Sequence, residues 1–300
     1  MMRSVSLSII LLLFFATNVI AKDKSITVLT SLEVTTALAE ALTRGTSIRV
    51  INIIPDGYSM RGQDAYLKKH QASFFEKARE ADAVLTVGAA WPADPLYKWA
   101  RRGNIRIVNI DTSKPLDEYG AGVQLLEVAG DSSPYVWRSP ANLTRMASIA
   151  SDDLCRLTPG DAKRIKVNLQ EVQSALFRLR SKYEAASLDL AAVELAAFTT
   201  GYTYLINEFG LEVMEYFLRS ESAWSDSDME RMIAQIKGAG VKAVVCPWEP
   251  DAKGRHVIEQ GGAVPVVLQA FKRAEEENPV DALIGWYEGN LSRLINALHN

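Results

Sequence analysis

Few side chains in this 300-residue sequence are of the types that hold metals or attack bonds. Histidine occurs three times, at His70, His256 and His299, and cysteine twice, at Cys155 and Cys246. Two cysteines build neither a disulfide framework nor a four-thiolate zinc site, and three histidines are few for a metalloprotein. There is no G-x-G-x-x-G after a strand, no Walker A loop, no G-x-S-x-G and no H-E-x-x-H. The loop Gly57-Tyr58-Ser59-Met60-Arg61-Gly62 has two glycines, at the wrong spacing for a phosphate cradle. His256 and His299 read as surface residues of helices, and no His, Ser and Asp group stands out. What the sequence does offer is aromatic and neutral polar side chains at Tyr66, Trp91, Tyr135, Thr199, Trp248 and Gln269. Such groups suit a small organic ligand better than a bond-breaking reaction.

The elements that position these residues follow from the apolar pattern. Ser25–Thr30, Ile48–Ile54, Ala83–Gly88 and Ile105–Ile110 are short apolar runs that read as strands. Between them Leu32–Thr43, Gln71–Ala81 and Leu96–Arg102 have helical spacing. Strands apolar on both faces, alternating with helices, predict a parallel sheet covered by helices. From Pro140 the pattern changes. Ser139-Pro140 opens one helix, Thr158-Pro159-Gly160-Asp161 breaks it, and Ala162–Ala186 then runs without Gly or Pro. Val167, Val172, Leu176, Leu179 and Tyr183 give this stretch near-heptad spacing. Twenty-five residues at 1.5 Å each make about 37 Å, long enough to span two lobes.

The α/β rhythm then resumes. Strands are expected within Leu188–Phe198 and at Leu211–Phe217, Val241–Cys246 and Val264–Leu268, with helices at Tyr202–Phe209, Met229–Lys237 and Val280–Leu298. Ser225-Asp226-Ser227-Asp228 caps the second of these helices. The expected fold is therefore α/β: two lobes, each a mostly parallel sheet with flanking helices, joined by one long rigid helix. The N-terminal lobe takes residues 22–160, the connecting helix 161–187 and the C-terminal lobe 188–300. In open α/β sheets ligands sit beyond the C-terminal ends of the strands. Those ends here are Gly57–Tyr66, Gly88–Trp91, Tyr135–Trp137, Thr199-Thr200, Trp248-Glu249 and Gln269, facing a shared cleft.

Composition agrees with a globular chain: 48% apolar, 23% charged and 8% aromatic residues. Thirty-three Lys and Arg against 36 Asp and Glu give a net charge of −3, with no basic excess for nucleic acid. The first 21 residues read as a secretory signal. Arg3 precedes the apolar run Ile9–Ala16, and Val19-Ile20-Ala21 ends in small residues, so cleavage is expected after Ala21. The mature protein is expected in the periplasm. Cys155 and Cys246 read as two apolar residues of a distant helix and strand rather than a disulfide.

A resemblance adds to this reading. Asp131-Ser132-Ser133-Pro134-Tyr135-Val136-Trp137-Arg138-Ser139-Pro140, followed by Asn142, resembles the D-P-H-V-W-L-D-P signature of periplasmic receptors serving zinc and manganese ABC importers. Gln63-Asp64-Ala65-Tyr66 stands at that family's D-P-H loop, and Glu80–Leu85 at its A-D-L-V strand. Tyr202–Leu205 with Phe209–Val213 is similar to its F-G-Y-F … Y-G-L segment. Ser225–Val245 and Asn290-Leu291 match its capped helix and its closing helix. The resemblance covers nearly the whole mature chain. It implies two α/β lobes on a rigid helix and a binding protein, not an enzyme. It also implies an inner-membrane ABC permease as partner, a small ligand or metal as cargo, and a monomer.

The ligand set implied by the resemblance departs from the family's three histidines and one carboxylate. The matching positions hold Tyr66, Tyr135, Thr199 and Gln269. Neutral imidazoles and a carboxylate suit Zn²⁺ or Mn²⁺, whereas phenols of pKa near 10 must first lose a proton. Three readings stay open. In one, His70 supplies a ligand, with Glu249 or Asp251. In another, Tyr66, Tyr135, Trp91 and Trp248 surround Thr199 and Gln269 to hold an organic molecule or a metal chelate. In the third, the cleft is empty and the protein acts as a partner, regulator or adhesion module of the envelope.

Overall fold

A computed structural model describes residues 25–117, 119–190, 193–274 and 276–299. The signal-sequence reading of residues 1–21 lies outside the described residues. The chain begins with β1 (Ile26–Thr30), α1 (Glu33–Thr43), β2 (Ile48–Asn52), α2 (Gln63–Lys69), α3 (Gln71–Glu80), β3 (Ala83–Thr86), α4 (Leu96–Gly103) and β4 (Val108–Asp111). These strands form one parallel sheet in the order β2-β1-β3-β4. Alternation along the central strands serves two cores. Val28 and Leu85 face α1, while Leu29 and Val84 face α3 and α4 with Leu67, Phe74 and Trp99. A period of two with both faces covered produces the continuous apolar runs seen in the sequence.

A small antiparallel ladder, β5 (Glu127–Val128) with β6 (Asp131–Ser132), leads into α5 (Pro140–Leu157) and α6 (Ala162–Leu188). The second lobe follows with β7 (Glu194–Ala197), α7 (Thr203–Glu208), β8 (Glu212–Tyr216), α8 (Asp226–Gly238), β9 (Ala243–Cys246), α9 (Ala252–Gly261), β10 (Val264–Val267) and α10 (Pro279–His299). Its sheet is parallel, in the order β10-β9-β7-β8. The two-lobed α/β architecture with a long connecting helix is thus the observed one.

Helix α6 is 27 residues long, about 40 Å at 1.5 Å per residue. Its buried apolar stripe is Ile165, Leu169, Val172, Leu176, Leu179 and Tyr183, stepping by four and three. Val167 falls off that stripe, five residues before Val172, and is 48% exposed. Near its start the buried Asn168 donates through Nδ2 to the carbonyls of Leu42 and Arg44, closing the end of α1 at 2.8 and 2.9 Å. Near its finish the Tyr183 hydroxyl meets Ser292 Oγ at 2.7 Å and the Glu288 carbonyl at 3.2 Å on α10. One continuous core joins α1, α5, α6 and α10 to the inner faces of both sheets.

Some boundaries differ from expectation. The helix runs on to Leu188, which is 86% exposed, and the strand expected from there begins only at Glu194, where pairing with Glu212 starts. Helix α2 occupies a stretch read as loop, because Leu67 offers it a single core anchor. Both cysteines are free: Cys246 is buried, and Cys155 is half-buried rather than fully inside. Among the described residues no helix is long and apolar enough to cross a membrane.

Candidate functional site

Beyond the C-terminal ends of the strands lies a cavity of about 380 Å³ whose walls come from both lobes. Ser31 to Val34 bring the end of β1 and the start of α1, and Asn52 to Met60 follow β2. Trp137 and Arg138 precede α5, and Ala270 and Phe271 follow β10. This is where an open α/β sheet receives ligands. A neighbouring cavity of about 210 Å³ is lined by Met60, Trp91, Ser133, Tyr135 and Thr200, among others.

Arg138 dominates the chemistry of the larger cavity. A tight turn over Val136–Arg138 buries Val136 and Trp137 in the central core. The turn is pinned by the Trp137 carbonyl, which accepts from the fully buried Tyr287 hydroxyl. Ser139 then caps α5, its Oγ accepting from Asn142 N at 3.0 Å. The half-buried Glu208 accepts from Ser139 Oγ, from Ala141 N at 3.1 Å, and pairs with Arg180 at 2.7 Å. The carboxylate nearest along this frame is therefore already taken.

Arg138 itself lies between two rings, its guanidinium carbon 4.4 Å from the Tyr135 centroid and 3.9 Å from that of Tyr202. Its Nε is sealed from solvent without a hydrogen-bond partner. Among the described residues no carboxylate pairs with it. Burial pushes its pKa below the ordinary arginine value, the neighbouring Tyr202 and Tyr135 opposing; a guanidinium nevertheless stays charged. Two aromatic faces return about 1–2 kcal/mol each to a desolvated cation, against a desolvation cost of several kcal/mol. Gly201 makes the position possible, since a Cβ there would lie 2.5 Å from Arg138 Nη1 and 3.2 Å from Thr199 Oγ1.

An acidic pair lines the same cavity. Glu33, half-buried at the start of α1, hydrogen-bonds Asp56 beyond β2. Burial and this neighbour push the Glu33 pKa up to about 7, against Arg273 and Lys272 nearby. Near neutral pH the Glu33 carboxyl is therefore partly protonated. Gln63, fully buried, lines the same cavity. Its Nε2 donates to the Ser31 carbonyl at 2.9 Å, and its Oε1 is sealed with no donor.

The positions singled out in the sequence are distributed as follows. Tyr135 and Trp91 share the smaller cavity, and Thr199 reaches the Arg138 region by accepting from Gly201 N at 3.0 Å. Gln269 sits just before Ala270 with its side chain exposed. Its backbone is locked by Asn290 at 2.8 and 3.0 Å and by Trp286 at 2.6 Å. Tyr66 lies on α2 with its ring 4.7 Å from Tyr58 and 4.4 Å from His70, and packs on the outer core of the first lobe. Trp248 is 58% exposed and donates to Glu221 Oε1 at 3.1 Å, while Glu249 pairs with Arg255 at 3.3 Å. Asp251 caps α9 through Gly254 N at 2.9 Å. His70 thus meets Tyr66 rather than Glu249 or Asp251. Among the described residues no three His, Cys, Asp or Glu are grouped as a metal site would need.

Sequence reading missed Arg138, Glu33, Asp56, Tyr202 and Gly201. One signal was available: Arg138 stands where the receptor signature carries leucine, and a charge inside an apolar signature needs a reason. Glu33 and Asp56 gave none, because an acidic residue opening a helix and another in a Pro-Asp-Gly turn are ordinary.

Similarity to known proteins agrees with this architecture. Among curated proteins none matches the chain by sequence. Among solved structures, the metal-dependent lipoprotein YcdH from Bacillus subtilis superposes with a TM-score of 0.72 at 18% identity, over 92% of this chain and 100% of that one. An FpvC mutant from Pseudomonas aeruginosa gives 0.71 at 18% identity over 91% and 99%. A manganese-bound mutant of the periplasmic metal-binding protein from Candidatus Liberibacter asiaticus gives 0.71 at 16% over 91% and 99%. At these identities the likeness speaks for the fold. The family described as "ZnuA: Zinc-uptake complex component A periplasmic" matches residues 28–297, and the chain belongs to that family of periplasmic binding components of metal importers.

Proposed function

We propose that this chain is the periplasmic binding component of an ABC importer whose cargo is not a directly coordinated divalent cation. The signal sequence is removed after Ala21, and the mature chain works as a monomer. Residues 22–160 and 188–300 hold cargo between them on the helix 161–187, then dock on an inner-membrane permease. No bond is made or broken.

The observation that carries this reading is the unpaired guanidinium of Arg138 against Tyr135, beside Thr199, at positions matched to the family's metal ligands. The donors there are phenol, hydroxyl and amide. A fixed +1 charge about 5 Å from a divalent ion repels it by about 7 kcal/mol at an effective dielectric of about 20, or roughly five powers of ten in affinity. A cavity of about 380 Å³ has the volume of a small-molecule site, which favours capture over a role exerted only at the surface.

Calorimetry of the mature protein with Zn²⁺, Mn²⁺ and Ni²⁺, alongside metal analysis of the purified protein, tests the reading. Binding weaker than about 10 μM and no co-purified stoichiometric metal are expected. Sub-micromolar binding of a bare ion at one site overturns it.

A further inference from the structure

We infer that the inter-lobe cavity recognises a small aminocarboxylate, its carboxylate held by Arg138 and its protonated amine by Gln63 and the Glu33–Asp56 pair. The inference rests on the reading of this cleft as a cargo site and names the chemistry of the cargo.

Arg138 is the cationic group of this cavity. Its donors border the cavity, its Nε is buried and unpartnered, and the described carboxylates leave it alone. The frame spends its nearest carboxylate, Glu208, on Ser139, Ala141 and Arg180 instead. A fork of N–H groups in a partly dry wall fits a carboxylate in two-point contact. Tyr135 and Tyr202 clamp the guanidinium from the sides, and Gly201 clears the space for Nη1. The group is therefore pre-organised, and a ligand need not pay to order it.

Acceptor groups line the same cavity. Gln63 is one of these lining residues, and behind that wall its Oε1 is buried and unpartnered. Its Nε2 is fixed on the Ser31 carbonyl, so the amide cannot turn to satisfy it. Glu33 and Asp56 stand in the same wall and add acidic acceptor oxygens there. A simple anion would answer only Arg138, and a simple cation only the acidic pair. A molecule with both charges answers each and adds no net charge to the cavity. If the volume of about 380 Å³ were a sphere it would be roughly 9 Å across, which suits a ligand of about ten heavy atoms. Trp137 and Phe271 supply apolar wall for its carbon chain.

The same chemistry comes from a free amino acid or from an aminocarboxylate that already carries a metal, and one titration series separates the two. Mature protein is titrated, following tryptophan fluorescence and Tm, with L-glutamate, L-lysine, iminodiacetate and the zinc complex of iminodiacetate. Succinate and putrescine serve as single-charge controls. At least one aminocarboxylate is expected to bind about tenfold or more tighter than either control. Arg138→Leu, which restores the leucine of the receptor signature, is expected to weaken that binding at least about thirtyfold, and Arg138→Lys less. The double change Glu33→Gln with Asp56→Asn is expected to weaken it about tenfold while leaving succinate unaffected. Preference for the zinc complex over the free acid assigns a chelate as cargo, and the reverse assigns the free molecule. No binding by any of the four, equal binding of a control, or unchanged affinity in Arg138→Leu and Arg138→Lys overturns the inference. Any of these leaves the importer reading standing, since that falls only to tight binding of a bare ion.

Discussion

Replacing Gly201 by alanine tests whether Arg138 is held rigidly where it lies. The new Cβ would sit 2.5 Å from Nη1 and 3.2 Å from Thr199 Oγ1. An arginine free to swing would yield at little cost. This one has ring centroids at 3.9 and 4.4 Å from its guanidinium carbon and a sealed Nε, so either the rings or the backbone must give. Overpacking of this kind costs about 1–3 kcal/mol. Gly201 is not among the positive-φ glycines, so alanine itself brings no backbone strain. With Arg138→Leu in place the clashing atom is gone. The substitution should then be neutral or stabilise by about 0.4–1 kcal/mol through the unfolded chain. The coupling energy expected from the double-mutant cycle is therefore about 1–4 kcal/mol. In thermal melts, Gly201→Ala should lower Tm by roughly 3–8 °C in the natural chain and not at all beside Arg138→Leu. Additivity within about 0.5 kcal/mol would refute the clamped guanidinium.

Two other predictions concern groups flanking the cleft. The folded-state pKa of Glu33, about 7, lies above its ordinary value of 4.5, so folding favours the protonated acid. Its contribution is complete below the ordinary pKa and is lost as pH rises through about 7. The full shift would amount to about 3 kcal/mol, and solvent screening of this half-buried group reduces it to about 1 kcal/mol. Tm of the natural chain should therefore fall by roughly 2–3 °C relative to Glu33→Gln between pH 4 and pH 8, and parallel Tm curves would contradict the carboxyl pair. On α6, Asn168→Ala leaves the Leu42 carbonyl without its donor, while the Arg44 carbonyl keeps Arg164 Nε at 3.1 Å, and should cost about 1–3 kcal/mol in urea unfolding. Asn168→Asp should cost more, because it points a carboxylate at two carbonyls; a smaller loss than for alanine would contradict the assigned amide orientation.

The layered fold was legible because its information is local and periodic. Val28 and Leu29, or Val84 and Leu85, each divide between two cores, and that forces the unbroken apolar runs by which parallel strands are read. Ser139 and Ser225 announced their helices by side-chain chemistry confined to one turn, and both do cap them. The long helix was visible from its lack of breakers. Its register was less so, because Val167 is an apolar residue at an exposed position and Ile165 and Leu169 carry the stripe instead. The ligand site was legible only in part. Motif matching pointed to Tyr135, which lines the smaller cavity, and to Thr199, which lies beside Gly201. It also gave weight to Tyr66 and Trp248, whose side chains pack on Tyr58 and His70 and on Glu221. A side chain's direction depends on contacts from the other lobe, and these have no periodic trace in the sequence.

The manner of closure follows from where the lobes are joined. Helix α6 is anchored to α1 by Asn168 and to α10 by Tyr183, and α10 packs in turn on α1. The three helices form one triangle whose core is continuous with both sheets. A wide hinge motion would break that core, which the cavity touches at Val34 and Trp137. Adaptation to cargo is then confined to the cavity walls that carry little core: the Pro55–Met60 loop, largely exposed, and the Gln269–Arg273 segment after β10. Those same two segments carry Asp56 and Phe271, while Arg138 and Gln63 are fixed on the buried frame. On the cargo reading proposed above, adjustment to a bound molecule would then need displacement of these loops rather than rotation of the lobes about α6.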